Sequence, residues 1–184
     1  MCAMSVDPTR LKILVYPAPA LRKKGKEVDW ADGTVQAVAR RMIELMHEAD
    51  GVGLAAPQVG LPWRLFVTNG READPEDRVF INPDLTLGRG EMVAEEEGCL
   101  SLPGINVQVR RAPQADIAAI DLNGEAFRMS GNGLLTRIWQ HENDHLDGVL
   151  IIDKMSPMDR LATRKALKGL KMAAGAAATG PHAL

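Results

Sequence analysis

The sequence predicts an α+β fold. Short antiparallel or mixed β-sheets pack around a central helix bearing a His-Glu-x-x-His motif, and another helix lies near the C-terminus. Three observations predict it. Apolar residues recur at helical spacing in separate segments. Between the first two of these, β-rich runs cluster without the regular βα alternation of a doubly wound sheet. The pair Asn123-Gly124 separates two such runs and accepts the positive φ values of a tight hairpin turn.

The elements follow in order. Residues 14–22 carry Pro17 and Pro19 and read as an extended arm. From Thr34 to Asp50 the apolar positions are Val35, Val38, Ala39, Met42, Leu45 and Met46, one face of a helix. Asp32 or Thr34 can cap its start, and Gly51-Val52-Gly53 stops it. The β-rich runs are 63–67, 79–81, 92–96, 106–110, 116–122 and 126–129. A second helix spans 134–146, opened by Gly131-Asn132-Gly133 and closed near Gly148. A third covers 157–172. Beyond it Ala and Gly dominate, and Gly180-Pro181 breaks any helix. The expectation is a single catalytic domain over 1–172 and a disordered tail over 173–184.

Composition narrows the function. The 184 residues hold 22 Lys+Arg against 24 Asp+Glu, a formal net charge of −2 that argues against a whole-protein nucleic-acid binder. No window approaches the roughly 18 apolar residues of a membrane span. The first eight residues lack a basic region followed by an apolar run, so no signal peptide is expected. Cys2 and Cys99 form no disulfide framework and suit a reducing compartment; a cytoplasmic protein is expected.

The strongest motif is His141-Glu142-Asn143-Asp144-His145. Residues four apart share a helix face, so both imidazoles can reach one metal ion. Glu142 sits beside the first ligand, where it can handle a proton without ligating. A hydrolytic metal needs a third protein ligand and an open position. Downstream, Asp153, Asp159 and His182 are available; upstream, Glu97-Gly98-Cys99-Leu100-Ser101 offers a thiol in a turn. Gly51 to Gln58 is a run of small residues that permits close backbone approach, without the spacing of a nucleotide loop. Leu134 and Ile138 precede His141 by seven and three residues on its own face, and can line a pocket or pack in the core.

Together these segments resemble the peptide deformylase family. That family carries Gly-x-Gly-x-Ala-Ala-x-Gln, Glu-Gly-Cys-Leu-Ser and Gln-His-Glu-x-Asp-His-Leu-x-Gly, matched here at 51–58, 97–101 and 140–148. Tyr16-Pro17 and Leu21-Arg22 also look like its first strand region, and the resemblance covers roughly residues 10–160. Two departures stand out: Ala18 where the family often has an acid, and Asn106 where some members place an arginine.

The resemblance implies a hydrolase that removes the formyl group from N-formylmethionyl nascent peptides and releases formate. It implies that Cys99, His141 and His145 hold one divalent metal, Fe²⁺ in the cell, with Zn²⁺, Ni²⁺ or Co²⁺ possible in purified protein. Glu142 would be the proton carrier, and the Gln58 amide and the Leu100 N–H would face the developing oxyanion. Val52 and Gly53 would bind the substrate backbone, and Leu134 and Ile138 the methionine side chain. Glu97 and Arg111 are candidates for a buried pair behind the cysteine turn. No role is assigned to His47 or His182.

Two rivals make different demands. A generic zinc endopeptidase would not need Cys99, and a degenerate binding module would show damage to Glu142 or the ligands, which are intact. One feature lies outside the family motifs. Residues 154–171 hold six basic side chains and one acid, with Arg160, Arg164, Lys168 and Lys171 spaced along one helical face. Such a stripe can neutralise phosphates, so docking to ribosomal RNA is an expectation, with no membrane partner.

Overall fold

The computed structural model describes residues 6–178. Its elements are α1 (Gly33–Glu48), β1 (Gly53–Ala55), β2 (Leu65–Thr68), β3 (Arg78–Leu87), β4 (Val93–Glu97), β5 (Val107–Arg111), β6 (Gln114–Ile120), β7 (Ala126–Asn132), α2 (Gly133–Leu146), α3 (Ile151–Lys154) and α4 (Pro157–Ala178). Five strands form an antiparallel sheet in the order β1-β2-β3-β6-β7, and β4 pairs with β5 in a separate antiparallel ribbon. The architecture is α+β.

Alternation along β2 explains how the layers stack. Leu65 and Val67 face one way, onto the buried stripe of α1 made by Val35, Val38, Ala39, Met42, Leu45 and Met46. Phe66 faces the other way and stacks on Phe80 at 4.7 Å between ring centroids, with Trp139 of α2 packed beyond. The large sheet therefore lies between α1 and α2, and α2 is fixed beneath it by apolar burial. A third apolar cluster joins Val107 and Val109 of β5 to Ile151 and Ile152 of α3, with Leu167 and Leu170 of α4 against it.

Local chemistry sets the ends. Asp32 caps α1, its carboxylate accepting from the Thr34 N–H at 2.8 Å. The β6–β7 hairpin departs from the expected tight turn. Its strands stop at Ile120 and begin again at Ala126, because Asp121 Oδ1 accepts from the N–H groups of both Asn123 and Glu125. Gly124 supplies the positive φ of 84° within that loop.

Other differences have physical causes. The arm at 14–22 contains a 3₁₀ turn, Pro19–Arg22, started by the preset φ of Pro19. The glycine run after α1 holds strand β1, and Ala56–Val59 forms another 3₁₀ turn. Short α3 was not foreseen. The tail expected at 173–184 is helical as far as Ala178, since alanine is the strongest helix former. Residues 179–184, with His182, lie outside the described residues.

Candidate metal centre

Helix α2 starts at Gly133, whose φ of +54° turns the chain sharply out of β7. Eight residues on, His141 and His145 share its upper face, with ring centroids 5.0 Å apart. The turn after β4 brings Cys99 to them, closed by the Leu102 N–H donating to the Cys99 carbonyl at 2.8 Å. Cys99 Sγ lies 3.3 Å from His145 Nε2, and one donor atom from each of the three residues falls within 4.8 Å of the others. A tetrahedral ion with bonds of about 2.0–2.3 Å separates its ligands by about 3.3–3.8 Å, so this constellation fits one. A thiolate and two imidazoles form a donor set that suits iron, zinc, nickel or cobalt. Of the alternatives the spacing left open, Asp153 is taken by Arg22 and the Leu150 N–H, and Asp159 by Ser156.

The carboxylate behind the site is Glu97. Its Oε2 lies 3.0 Å from His141 Nδ1, which leaves Nε2 as the free nitrogen. Arg111 donates to both Glu97 oxygens, from Nε at 2.9 Å and from Nη2 at 2.8 Å, and Arg137 Nη1 donates to Oε1 at 2.7 Å. Burial alone would raise the Glu97 pKa, but Arg111 and His141 outweigh it and hold the group well below the usual carboxylate range. Arg111 also reaches Asp144, which Lys154 contacts in turn.

Glu142 is in the opposite condition. It is 4% exposed and packs so closely against β1 that a Cβ on Gly53 would lie 2.3 Å from its Oε1. Only glycine fits there. Its other oxygen, Oε2, is buried without a hydrogen-bond partner. Burial raises its pKa to about 7, against the pull of the His141 and Arg111 charges. A carboxyl group poised between its two protonation states thus faces the cleft.

That cleft has a volume of about 380 Å³. Gly51, Val52, Gly53 and Gln58 form one wall, Glu96 to Leu100 another, and Leu134, Arg137, Ile138, His141 and Glu142 the floor. Gln58 is buried. Its Oε1 accepts from the Ala55 N–H at 2.8 Å, and its Nε2 points at Ser101 Oγ (3.2 Å) and Cys99 Sγ (3.6 Å). Leu134 is 49% exposed at the mouth, so core packing does not explain it, whereas Ile138 is buried in the floor. The expected Glu97–Arg111 pair is present. His47, to which no role was assigned, is exposed and bonds Asp77 at 2.7 Å.

Three contributors escaped the sequence reading. Arg137 clamps Glu97 to the Val93 and Val109 carbonyls, and Asp144 steadies Arg111. Gln140 brackets Ala112, accepting from its N–H and donating to its carbonyl, both at 3.0 Å. The available signal was spacing: Arg137 lies one helical turn before His141, and Asp144 three residues after it.

An α+β fold whose helix presents His-Glu-x-x-His to a cysteine turn defines a hydrolase built around a metal-binding cluster. The comparisons specify it further. Residues 10–161 match the polypeptide deformylase family model, and the chain belongs to that family. It is 44% identical over 163 residues to a peptide deformylase of Thermodesulfovibrio yellowstonii, covering 88% of this chain and 98% of that one. A relative from Hahella chejuensis is 42% identical over 160 residues, 87% of this chain and 95% of the other. A plant peptide deformylase crystal structure superposes with a TM-score of 0.87 at 38% identity, covering 97% of each chain. One from Legionella pneumophila gives 0.80 at 38%, covering 93% and 99%. The chain is thus an enzyme of the class that removes the N-terminal formyl group from nascent polypeptides.

Proposed function

We propose that this chain hydrolyses the formamide of N-formylmethionyl peptides, releasing formate and a free amino terminus, with Cys99, His141 and His145 holding one divalent ion. The observation that carries this reading is the convergence of three donor atoms and the unpartnered Glu142 oxygen in one cleft. When bound, the ion supplies a Lewis acid that polarises the formyl carbonyl and acidifies water. Glu142 accepts the proton of the attacking water and passes it to the leaving nitrogen as the formyl C–N bond breaks. The Gln58 amide and the Leu100 N–H donate to oxygen as charge builds there.

Topology suggests how the peptide lies. Among the described residues, strand β1 pairs only with β2 and β4 only with β5, so each has an edge unpaired by them, and both border the cleft. An extended peptide can hydrogen-bond between them, with Val52 and Gly53 on one side and the methionine side chain over Leu134 and Ile138. Incubating metal-loaded protein with formyl-Met-Ala-Ser and quantifying formate tests the reading; no formate would overturn it.

Finer features belong to the same proposal. Fe²⁺ is the ion assigned in the cell, which metal analysis after anaerobic purification tests. Residues 1–172 act as one catalytic domain. The basic face of α4 docks the enzyme to the ribosome, and the protein works in the cytoplasm. No helix among the described residues is long and apolar enough to cross a membrane.

A further inference from the structure

We infer that residues 14–16 form a strap that positions the oxyanion donors, gripping one backbone carbonyl from each wall of the cleft, with Tyr16 and α4 keeping it seated; this rests on the deformylase reading above. Gln58 belongs to the turn after β1, and Leu100 and Ser101 to the turn after β4. Among the described residues β1 and β4 lie in separate sheets, so no strand ladder fixes one turn against the other. The arm makes that connection. The Leu14 N–H donates to the Gln58 carbonyl at 2.7 Å, and the Tyr16 N–H donates to the Ser101 carbonyl at 2.9 Å. Side chains alternate along it: Leu14 and Tyr16 pack into the apolar cluster of β5 and α3, whereas Val15 is 41% exposed. This is the alternation of an extended chain, in which residues two apart face the same way at a spacing of about 6.6 Å. The two carbonyls are thereby held at a set span.

What the strap holds in register is the Gln58 amide. Its Oε1 is taken by the Ala55 N–H at 2.8 Å, and one Nε2 hydrogen goes to Ser101 Oγ at 3.2 Å. The second hydrogen, on the side of Cys99 Sγ at 3.6 Å, is left for substrate oxygen. Sliding Gln58 against Ser101 shifts that donor relative to the N–H of Leu100, the neighbour of Ser101. The metal ligands have their own supports, since the Leu102 N–H closes the Cys99 turn and Glu97 orients His141. The strap is covered in turn by α4. Leu167 and Leu170 pack against the same cluster as Leu14, Tyr16 and Ala18, and Lys171 Nζ lies 5.7 Å from the centre of the Tyr16 ring. Tyr16 is thus a positioning residue, and α4 acts on the site through it.

The experiment measures kcat and KM on formyl-Met-Ala-Ser for metal-loaded Tyr16→Ala, Tyr16→Phe and Leu170→Ala, together with melting temperature and metal affinity by chelator competition. Val38→Ala, which opens a cavity between α1 and the large sheet, is the control for lost stability. Displacing an oxyanion donor slows the chemical step and spares ground-state binding. Tyr16→Ala therefore lowers kcat about tenfold with KM within about twofold of the unsubstituted value. Tyr16→Phe keeps the ring and restores kcat, and Leu170→Ala, which trims only the α4 contact, lowers kcat about threefold. Metal affinity is unchanged in all of them. Where Tyr16→Ala fails to fold, Leu170→Ala decides by the same split between kcat and KM. An unchanged kcat in the folded variants, an equal loss in Val38→Ala, a rise in KM alone, or loss of metal overturns the inference, while formate release by the unsubstituted chain still supports the underlying reading. No formate from the unsubstituted chain overturns both.

Discussion

Glu97 Oε2 lies 3.0 Å from Nδ1 of His141, and two buried arginines hold the carboxylate there. The chain's third motif is therefore oriented by its second: the residue two before Cys99 fixes which nitrogen His141 presents to the cluster. Substituting Glu97→Gln weakens that orientation and removes one of the two anionic partners of Arg111. We expect metal affinity to fall by about 10–100-fold, measured by chelator competition. A thermal melt on the same sample separates lost metal binding from unfolding. Unchanged affinity in a folded variant would remove Glu97 from this role.

Arg111 is 2% exposed and bridges Glu97 to Asp144. Arg111→Met keeps the volume but strands buried carboxylates, which costs about 3 kcal/mol even with Arg137 still in place. Urea unfolding of the metal-free protein measures this directly. A loss under about 1 kcal/mol would mean that the carboxylates take up protons or water without penalty.

Glu142→Gln should abolish turnover while metal stays bound. The side chain is nearly isosteric and remains buried against Gly53, but it can no longer carry a proton. Activity within tenfold of the unsubstituted enzyme, or loss of the ion on dialysis, would contradict the assigned role.

Much of this site was legible because its chemistry is local. The His-Glu-x-x-His spacing puts both imidazoles on one helix face, and the structure brings their nitrogens to Cys99. The supports were harder to read. Arg137 and Asp144 meet Glu97 and Arg111 only after β4, β5 and α2 assemble, and no local pattern encodes that meeting. Strand β1 was hidden for a related reason: Gly53–Ala55 is three residues long and owes its extension to pairing with Phe66–Thr68. The helix through 173–178 was misread because glycine weighed too heavily; one Gly175 costs about 1 kcal/mol, within reach of its alanine neighbours.

Arg22 and Asp153 tie the N-terminal arm to α3, and the Leu150 N–H donates to the same carboxylate at 2.8 Å. Partial burial would raise the Asp153 pKa, but Arg22 and the backbone donor outweigh it and leave it lowered. A lowered folded-state value means that the stabilisation is present above the ordinary carboxylate pKa of 3.8 and lost as pH falls through the lower one. Between pH 5 and about 2, the urea midpoint should therefore fall less steeply in Asp153→Asn than in the unsubstituted chain. Parallel profiles would show that this ion pair adds no pH dependence.

The last prediction concerns α4. Thr163, Leu167 and Leu170 hold one face against the body, and Lys171 Nζ sits 5.7 Å above the Tyr16 ring. Arg160, Arg164 and Lys168 remain on the exposed side, where Met158 and Leu161 are also uncovered. A basic face of this kind releases counterions when it meets phosphates, so its affinity must fall steeply with salt. Arg164→Glu combined with Lys168→Glu leaves the packed face and the cleft untouched. That variant should deformylate short peptides normally and lose salt-sensitive co-sedimentation with ribosomes. Co-sedimentation equal to that of the unsubstituted chain at low salt would mean that the stripe does no more than keep the helix soluble.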